Sequence, residues 1–259
     1  MLSELWVVSA LCAVALSAPT FSMSAVERPV EMKVLSDYFQ MLSAKVQEGK
    51  KMAQAPVCDL SRAVLPVTSS STLPAPEPGN TVKHVAIGRG TQNYTCDTTN
   101  ATAIPVAAGA VATLFNASCV ASTYPDLLSL LPSLALEFNL TSPDQETLTL
   151  SDLAVSGHHF FSNATTPLFD LNTQARQLGL VPCKGGNSTA APKDAVVGQN
   201  NKGFGAVAWL RLPTRDGAGN VQEVFRVNTA GGKPPAACVG MPATFEVQYA
   251  AEYWFFQSS

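Results

Sequence analysis

The stretch Ala243-Thr-Phe-Glu-Val-Gln-Tyr-Ala-Ala-Glu-Tyr-Trp-Phe-Phe256 decides the fold class. Phe245, Val247, Tyr249, Ala251, Tyr253 and Phe255 fall on one side of an extended chain, with Glu246, Gln248, Ala250 and Glu252 on the other. A side-chain period of two marks a β-strand, because successive Cβ atoms of an extended backbone point to opposite faces. On this pattern alone, Glu246 and Glu252 read as the solvated side.

Working outward, residues 221–229 alternate in the same way, setting Val221, Phe225 and Val227 against Gln222, Arg226 and Asn228. The run from Phe204 to Leu212 is apolar on both faces, as a central strand would be. Shorter strands are predicted at 84–95, 110–115, 147–161 and 166–171, with turns at Gly79-Asn80, Asp216-Gly217 and Gly231-Gly232. A short helix is expected around Asp126 to Leu131, ending before Pro132. The expectation is a mainly β chain: a single β-sandwich or barrel-like domain over residues 83–259, preceded by one amphipathic helix and a Pro-rich linker.

The amphipathic helix is expected within residues 23–53, opened by Pro29, where Val30, Val34, Tyr38, Met41, Leu42 and Val46 recur at helical steps. Residues 54–82 carry Pro56, Pro66, Pro74, Pro76 and Pro78 and the run Thr68-Ser-Ser-Ser-Thr72, which gives the linker. Ahead of both, Leu5 to Leu16 is an apolar run of twelve. That is the length of a signal-peptide core and too short to span a bilayer, so residues 1–22 are expected to be a signal peptide. Its small residues allow cleavage ahead of Ala18 or Met23.

Six N-x-S/T acceptors begin at Asn93, Asn100, Asn116, Asn139, Asn163 and Asn187. Chance would supply roughly two, so the excess agrees with a secreted N-glycoprotein. The net charge of −3 offers no polybasic surface, so neither nucleic acid nor an anionic membrane surface is an expected partner. With Cys12 in the leader, Cys58, Cys96, Cys119, Cys183 and Cys238 remain, an odd number for an oxidising compartment. The pairing expected is Cys96 with Cys119 and Cys58 with Cys238, leaving Cys183 free. None of the spacings is CxxC or CxxH, so no structural metal is expected.

Chemistry-bearing motifs are sparse. Gly88-Arg-Gly90 begins like a dinucleotide fingerprint, but Asn93 stands where the third glycine belongs and no helix start follows. His158 and His159 are adjacent in an expected strand and so point to opposite faces, which prevents both from joining one metal site. No G-x-S-x-G elbow is present. The polar residues in or beside apolar strands are the better candidates: Arg211, Glu223, Arg226 and Asn228, for which a structural Arg-Glu pair is the simpler reading and a ligand site the other. Arg226 and Asn228 are expected to share a face, with Glu246 or Glu252 as the acid that neutralises Arg226. Trp209, together with Tyr249, Tyr253 and Trp254, is a candidate sugar-stacking platform.

The block Glu223-Val-Phe-Arg-Val-Asn-Thr-Ala-Gly-Gly-Lys-Pro-Pro-Ala-Ala-Cys238, followed by Val247-Gln-Tyr-Ala-Ala-Glu-Tyr253, resembles a fungal and bacterial family of secreted proteins of unknown function. Gly88 to Cys96, Ala112 to Phe115, Gly157 to Phe160, Pro167 to Asp170 and Ala208 to Leu212 follow that family's order, so the resemblance covers roughly His84 to Phe256. Fungal members often carry the label malate dehydrogenase. The residues here lack the phosphate-cradling turn that a nicotinamide enzyme needs, so no cofactor is expected. The resemblance implies no catalytic residues. The sequence thus points to a secreted, glycosylated module of cell wall or extracellular matrix, with polysaccharide or matrix components as partners. A secreted hydrolase acting on a wall or host polymer is the alternative.

Overall fold

The structure is a computed structural model, and it describes residue 41 and residues 58–66, 73–100, 102–140, 146–148, 151, 153–215 and 220–259. The expected signal peptide, the run at 68–72, the turn at Asp216-Gly217 and all but residue 41 of the expected N-terminal helix lie outside the described residues.

Among the described residues nine antiparallel strands form one sheet. In chain order they are β1 (Asn80–Thr95), β2 (Val106–Asn116), β3 (Val155–Asn163), β4 (Thr166–Asn172), β5 (Gln177–Pro182), β6 (Asn187–Thr189), β7 (Trp209–Pro213), β8 (Val221–Gly231) and β9 (Thr244–Ser258). Their order across the sheet is β5-β4-β3-β2-β1-β9-β8-β7-β6, so the first and last long strands lie side by side at its centre. The sheet curls into a half-barrel whose far sides meet at one corner. There Cys183 bridges to Thr214, Lys184 N–H donates to Pro213 O (3.0 Å) and Arg215 N–H to Pro182 O (2.7 Å). The mainly β, barrel-like expectation therefore holds, with one curled sheet in place of two packed ones.

The central strands are long because both of their faces are covered. Tyr249, Ala251, Tyr253 and Phe255 of β9 join the concave core with Phe169, Leu171, Val181, Leu212 and Val224. Ala250, Trp254 and Phe256 join the convex core with Val85, Ile87, Phe225 and Val227, under two helices and the segment at 58–66. Period two gives each face correctly, but the second face is buried, and the reading of Glu252 as solvated is corrected. Its side chain is 1% exposed, whereas Glu246, toward the end of the strand, is exposed.

Two helices lie on the convex side, α1 (Ser118–Thr123) and α2 (Pro125–Glu137). Pro125 at the first turn suits a helix start, where its missing N–H is no loss. The helix was expected to stop before Pro132, but it runs five residues beyond that proline. Leu128, Pro132, Ala135 and Leu136 are all buried, so packing on the sheet outweighs the lost backbone hydrogen bond. The run from Phe204 to Leu212 is strand only from Trp209 onward.

The cysteine pairing is also corrected. The bonds are Cys58–Cys119 and Cys96–Cys238, with Cys183 free, as expected, and buried. Sheet register explains the difference. Antiparallel pairing sets Asn116 opposite Ala86, near the start of β1, whereas Cys96 follows its far end. Ten residues of strand, about 33 Å, separate the levels of Cys96 and Cys119. Cys96 lies instead beside the β8–β9 connection that carries Cys238, because Thr95 pairs with Thr244. Cys119 in α1 meets the segment at 58–66. Both bonds accord with an oxidising compartment. Among the described residues no helix is long and apolar enough to cross a membrane.

A candidate ligand cavity in the half-barrel

The concave face is not filled to its rim. A cavity of about 210 Å³ opens between the start of β2, the β3–β4 turn, β7 and the middle of β8. Its apolar wall is Phe161, Phe169, Leu210 and Leu212, and its polar groups are Gln92, His159, Arg226 and Tyr253. Small residues, Ala107, Gly109 and Ala164, form the mouth.

Sequence periodicity places each polar group there. Gln92 lies on the same side of β1 as Gly88 and Gly90, and a Cβ on Gly88 would run into the Tyr253 ring (2.8 Å to Cδ2). The glycines of the apparent dinucleotide fingerprint are thus mid-strand residues paired on both sides; Gly88 makes room for an aromatic ring. Tyr253 shares a hydrogen bond of 2.9 Å with the Tyr249 hydroxyl, and burial raises the pKa of both phenols.

His159 stacks on Phe169, with ring centroids 4.2 Å apart. Its Nδ1 lies 3.0 Å from Leu168 O, an acceptor, so Nδ1 carries the proton and Nε2 is the lone-pair nitrogen of the neutral ring. Burial pushes this imidazole down to about 4. His158, its neighbour, points the other way and is exposed, paired in register with Asp170.

Arg226 is the unusual member. It is 8% exposed, its Nη2 donates to Ala208 O (2.9 Å), its Nη1 makes a long contact with Gln92 Oε1 (3.5 Å), and its Nε has no acceptor. Gln92 is 9% exposed and its Nε2 makes no hydrogen bond of good geometry, although the amide acts on the Tyr249 phenol as Arg226 acts on that of Tyr253. Among the described residues no carboxylate pairs with Arg226, so the expected ion pair with Glu246 or Glu252 is corrected. The cavity therefore presents a buried cation without its acid and an amide donor without a well-aligned acceptor. Leaving a buried donor unmade costs about 1–3 kcal/mol, and a buried charge more.

The other candidates are held elsewhere. Asn228 does not share a face with Arg226. A bulge between Val227 and Ala230, with Asn228 at φ 45°, turns its amide to the convex side. There Nδ2 donates to Glu252 Oε1 (2.9 Å) and Ser129 O (2.6 Å), and Trp254 Nε1 donates to Glu252 Oε2 (2.8 Å). Glu223 accepts from Arg211 Nε (2.6 Å), Asn80 Nδ2 (2.8 Å) and Glu77 N–H (2.7 Å), a structural Arg-Glu pair that ties the chain before β1 to β8. Trp209 is buried in the convex core beside Phe225 and Val227. Trp209 and Trp254 lie on the opposite face from Tyr249 and Tyr253, and all four are buried, so they form no platform. Among the described residues, no three His, Cys, Asp or Glu side chains converge as metal ligands would.

Sequence reasoning passed over Gln92 and gave Arg89 no role of its own. Arg89 is 1% exposed and closes the C-terminus of α2, donating from Nε to Ala135 O (2.8 Å) and from Nη1 to Gln248 Oε1 (2.6 Å). Gln92 left a faint trace: on its face of β1 it follows three small residues, Ala86, Gly88 and Gly90.

A family model described as Protein of unknown function (DUF3455) matches residues 76–257. The chain belongs to that family. The match spans the whole sheet, so the cavity of this DUF3455 member is built entirely from the shared domain. It also takes in Glu77, which holds Arg211 from before β1. No curated protein and no solved structure matches the chain.

Proposed function

We propose that this protein is a secreted, N-glycosylated binding module of cell wall or extracellular matrix that encloses a small ligand in the hollow of its half-barrel. The observation that carries the reading is the buried Arg226 without an acid, lining an open cavity beside Gln92, a second donor without a well-aligned acceptor. A concave, mostly apolar site with a few convergent polar groups is the usual form of a small-molecule site. The burial of Trp209, Tyr249, Tyr253 and Trp254 favours an enclosed ligand over a polymer laid on a surface. No carboxylate lines the cavity among the described residues, so His159 has no acid to work with, and binding is favoured over hydrolysis. Secretion is supported by the leader, the acceptors and the two disulfides. Asn100, Asn139, Asn163 and Asn187 are exposed, and Asn93 and Asn116 are half-buried.

Two measurements test this reading. Secreted material should begin near Ala18 or Met23 and drop in mass on glycosidase treatment; an intact Met1 with no shift would refute secretion. Ala107→Trp, at the exposed rim, should fold normally and abolish stabilisation by the small molecules that raise the melting temperature of the wild type. Equal stabilisation of both proteins would place the binding elsewhere.

A further inference from the structure

The geometry points to a small amphipathic monocarboxylate as the ligand, its carboxylate received by Arg226 and Gln92 and its apolar body packed between Phe161, Phe169, Leu210 and Leu212. This rests on the reading of the half-barrel hollow as a ligand site.

Charge decides the head group. Among the described residues Arg226 is the sole ionised side chain in the lining, because His159 is neutral and no Asp or Glu is present there. A buried guanidinium calls for an anion, and the planar fork of Arg suits a carboxylate above other small anions that a partly apolar site would admit. Arg226 and Gln92 are each more than nine-tenths buried, and each keeps an N–H without a hydrogen bond of good geometry. A carboxylate in the hollow would meet both side chains, since both line it. With a single cation to offer, the site has no complement for a second carboxylate, so dicarboxylates are disfavoured.

Shape decides the rest. A dry cavity of about 150 Å³ lined by Leu, Ile and Phe takes up benzene. The hollow here is about 210 Å³, with aromatic and leucine walls opposite the polar end. That suits a ring or a short alkyl chain with one carboxylate attached, and it is too small for an oligosaccharide. The Tyr249–Tyr253 hydroxyl pair closes the polar end on the β9 side, and burial keeps both phenols neutral.

The test is isothermal titration of the intact secreted protein with sodium benzoate, sodium hexanoate, benzamide and malate. Benzoate or hexanoate should bind saturably, benzamide should bind about tenfold to a hundredfold more weakly than benzoate, the worth of a hydrogen bond to a charged group, and malate should not bind. Arg226→Met, checked for folding by circular dichroism, should erase the preference for benzoate over benzamide. If that variant does not fold, Arg226→Lys and Gln92→Leu should each weaken benzoate while leaving benzamide unchanged. Benzamide binding as tightly as benzoate, or benzoate unaffected by these changes, overturns the carboxylate assignment and leaves the cavity as a ligand site. Failure of all four compounds to bind the folded wild type overturns both.

Discussion

Glu252→Gln should stabilise the protein above neutral pH and destabilise it in acid. Glu252 is buried on the convex face of β9, between Ile87 of β1 and Val227 of β8, where Asn228 and Trp254 donate to its two oxygens. Burial raises its pKa from an ordinary 4.5 to about 7, against the pull of those two donors. The folded state therefore holds this proton more tightly than the unfolded chain does between those two values. The contribution of Glu252 to stability is highest below pH 4.5 and falls as pH rises toward 7, the reverse of a salt-bridged acid. At about 1.4 kcal/mol per pH unit, the gap between 4.5 and about 7 corresponds to about 3 kcal/mol. Glutamine has the same shape and no charge, but its NH2 faces one of the two donors, at a cost of about 1–3 kcal/mol at every pH. The difference between mutant and wild type should thus shift by about 3 kcal/mol in the mutant's favour from pH 4.5 to pH 8. Urea unfolding of both proteins at the two pH values measures it. The histidines do not confuse the comparison: burial holds His84 at about 3 and His159 at about 4, so both lose stability as pH falls below 6.5, equally in mutant and wild type. A mutant-to-wild-type difference that is the same at both pH values would refute the buried, proton-binding Glu252.

Two further predictions concern β1. Arg89→Met should cost about 2–4 kcal/mol and reduce helical ellipticity, because the buried carbonyl of Ala135 and the half-buried one of Phe138 lose their donor; a loss under about 1 kcal/mol in urea unfolding would contradict that role. Gly90→Ala should cost at least about 2 kcal/mol, since the new Cβ would collide with the Val111 carbonyl and sit 2.6 Å from Ala112 Cα, both backbone atoms of the paired strand. A thermal melt matching that of the wild type would show that the glycine serves something other than close strand approach.

What the sequence determined by itself is local. Alternation at 221–229 and 243–256 pointed to two strands and assigned Phe225 and Tyr253 to their faces, because side-chain direction follows from the extended backbone alone. The glycines of Gly88-Arg-Gly90 could be taken as strand residues for the same reason. Tertiary structure decided what each face meets. Whether Glu252 met water or protein depended on α2 covering the convex side, and whether Arg226 met an acid or a hollow depended on how tightly the sheet curls. One residue of bulge at Asn228 sent its amide to the opposite face, an event that a strict period of two does not encode. Cysteine pairing went the same way: Cys96 and Cys119 are near in sequence, but antiparallel pairing of β1 with β2 sets them at opposite ends of a long strand. Distance along the chain measures loop length, and strand register measures space.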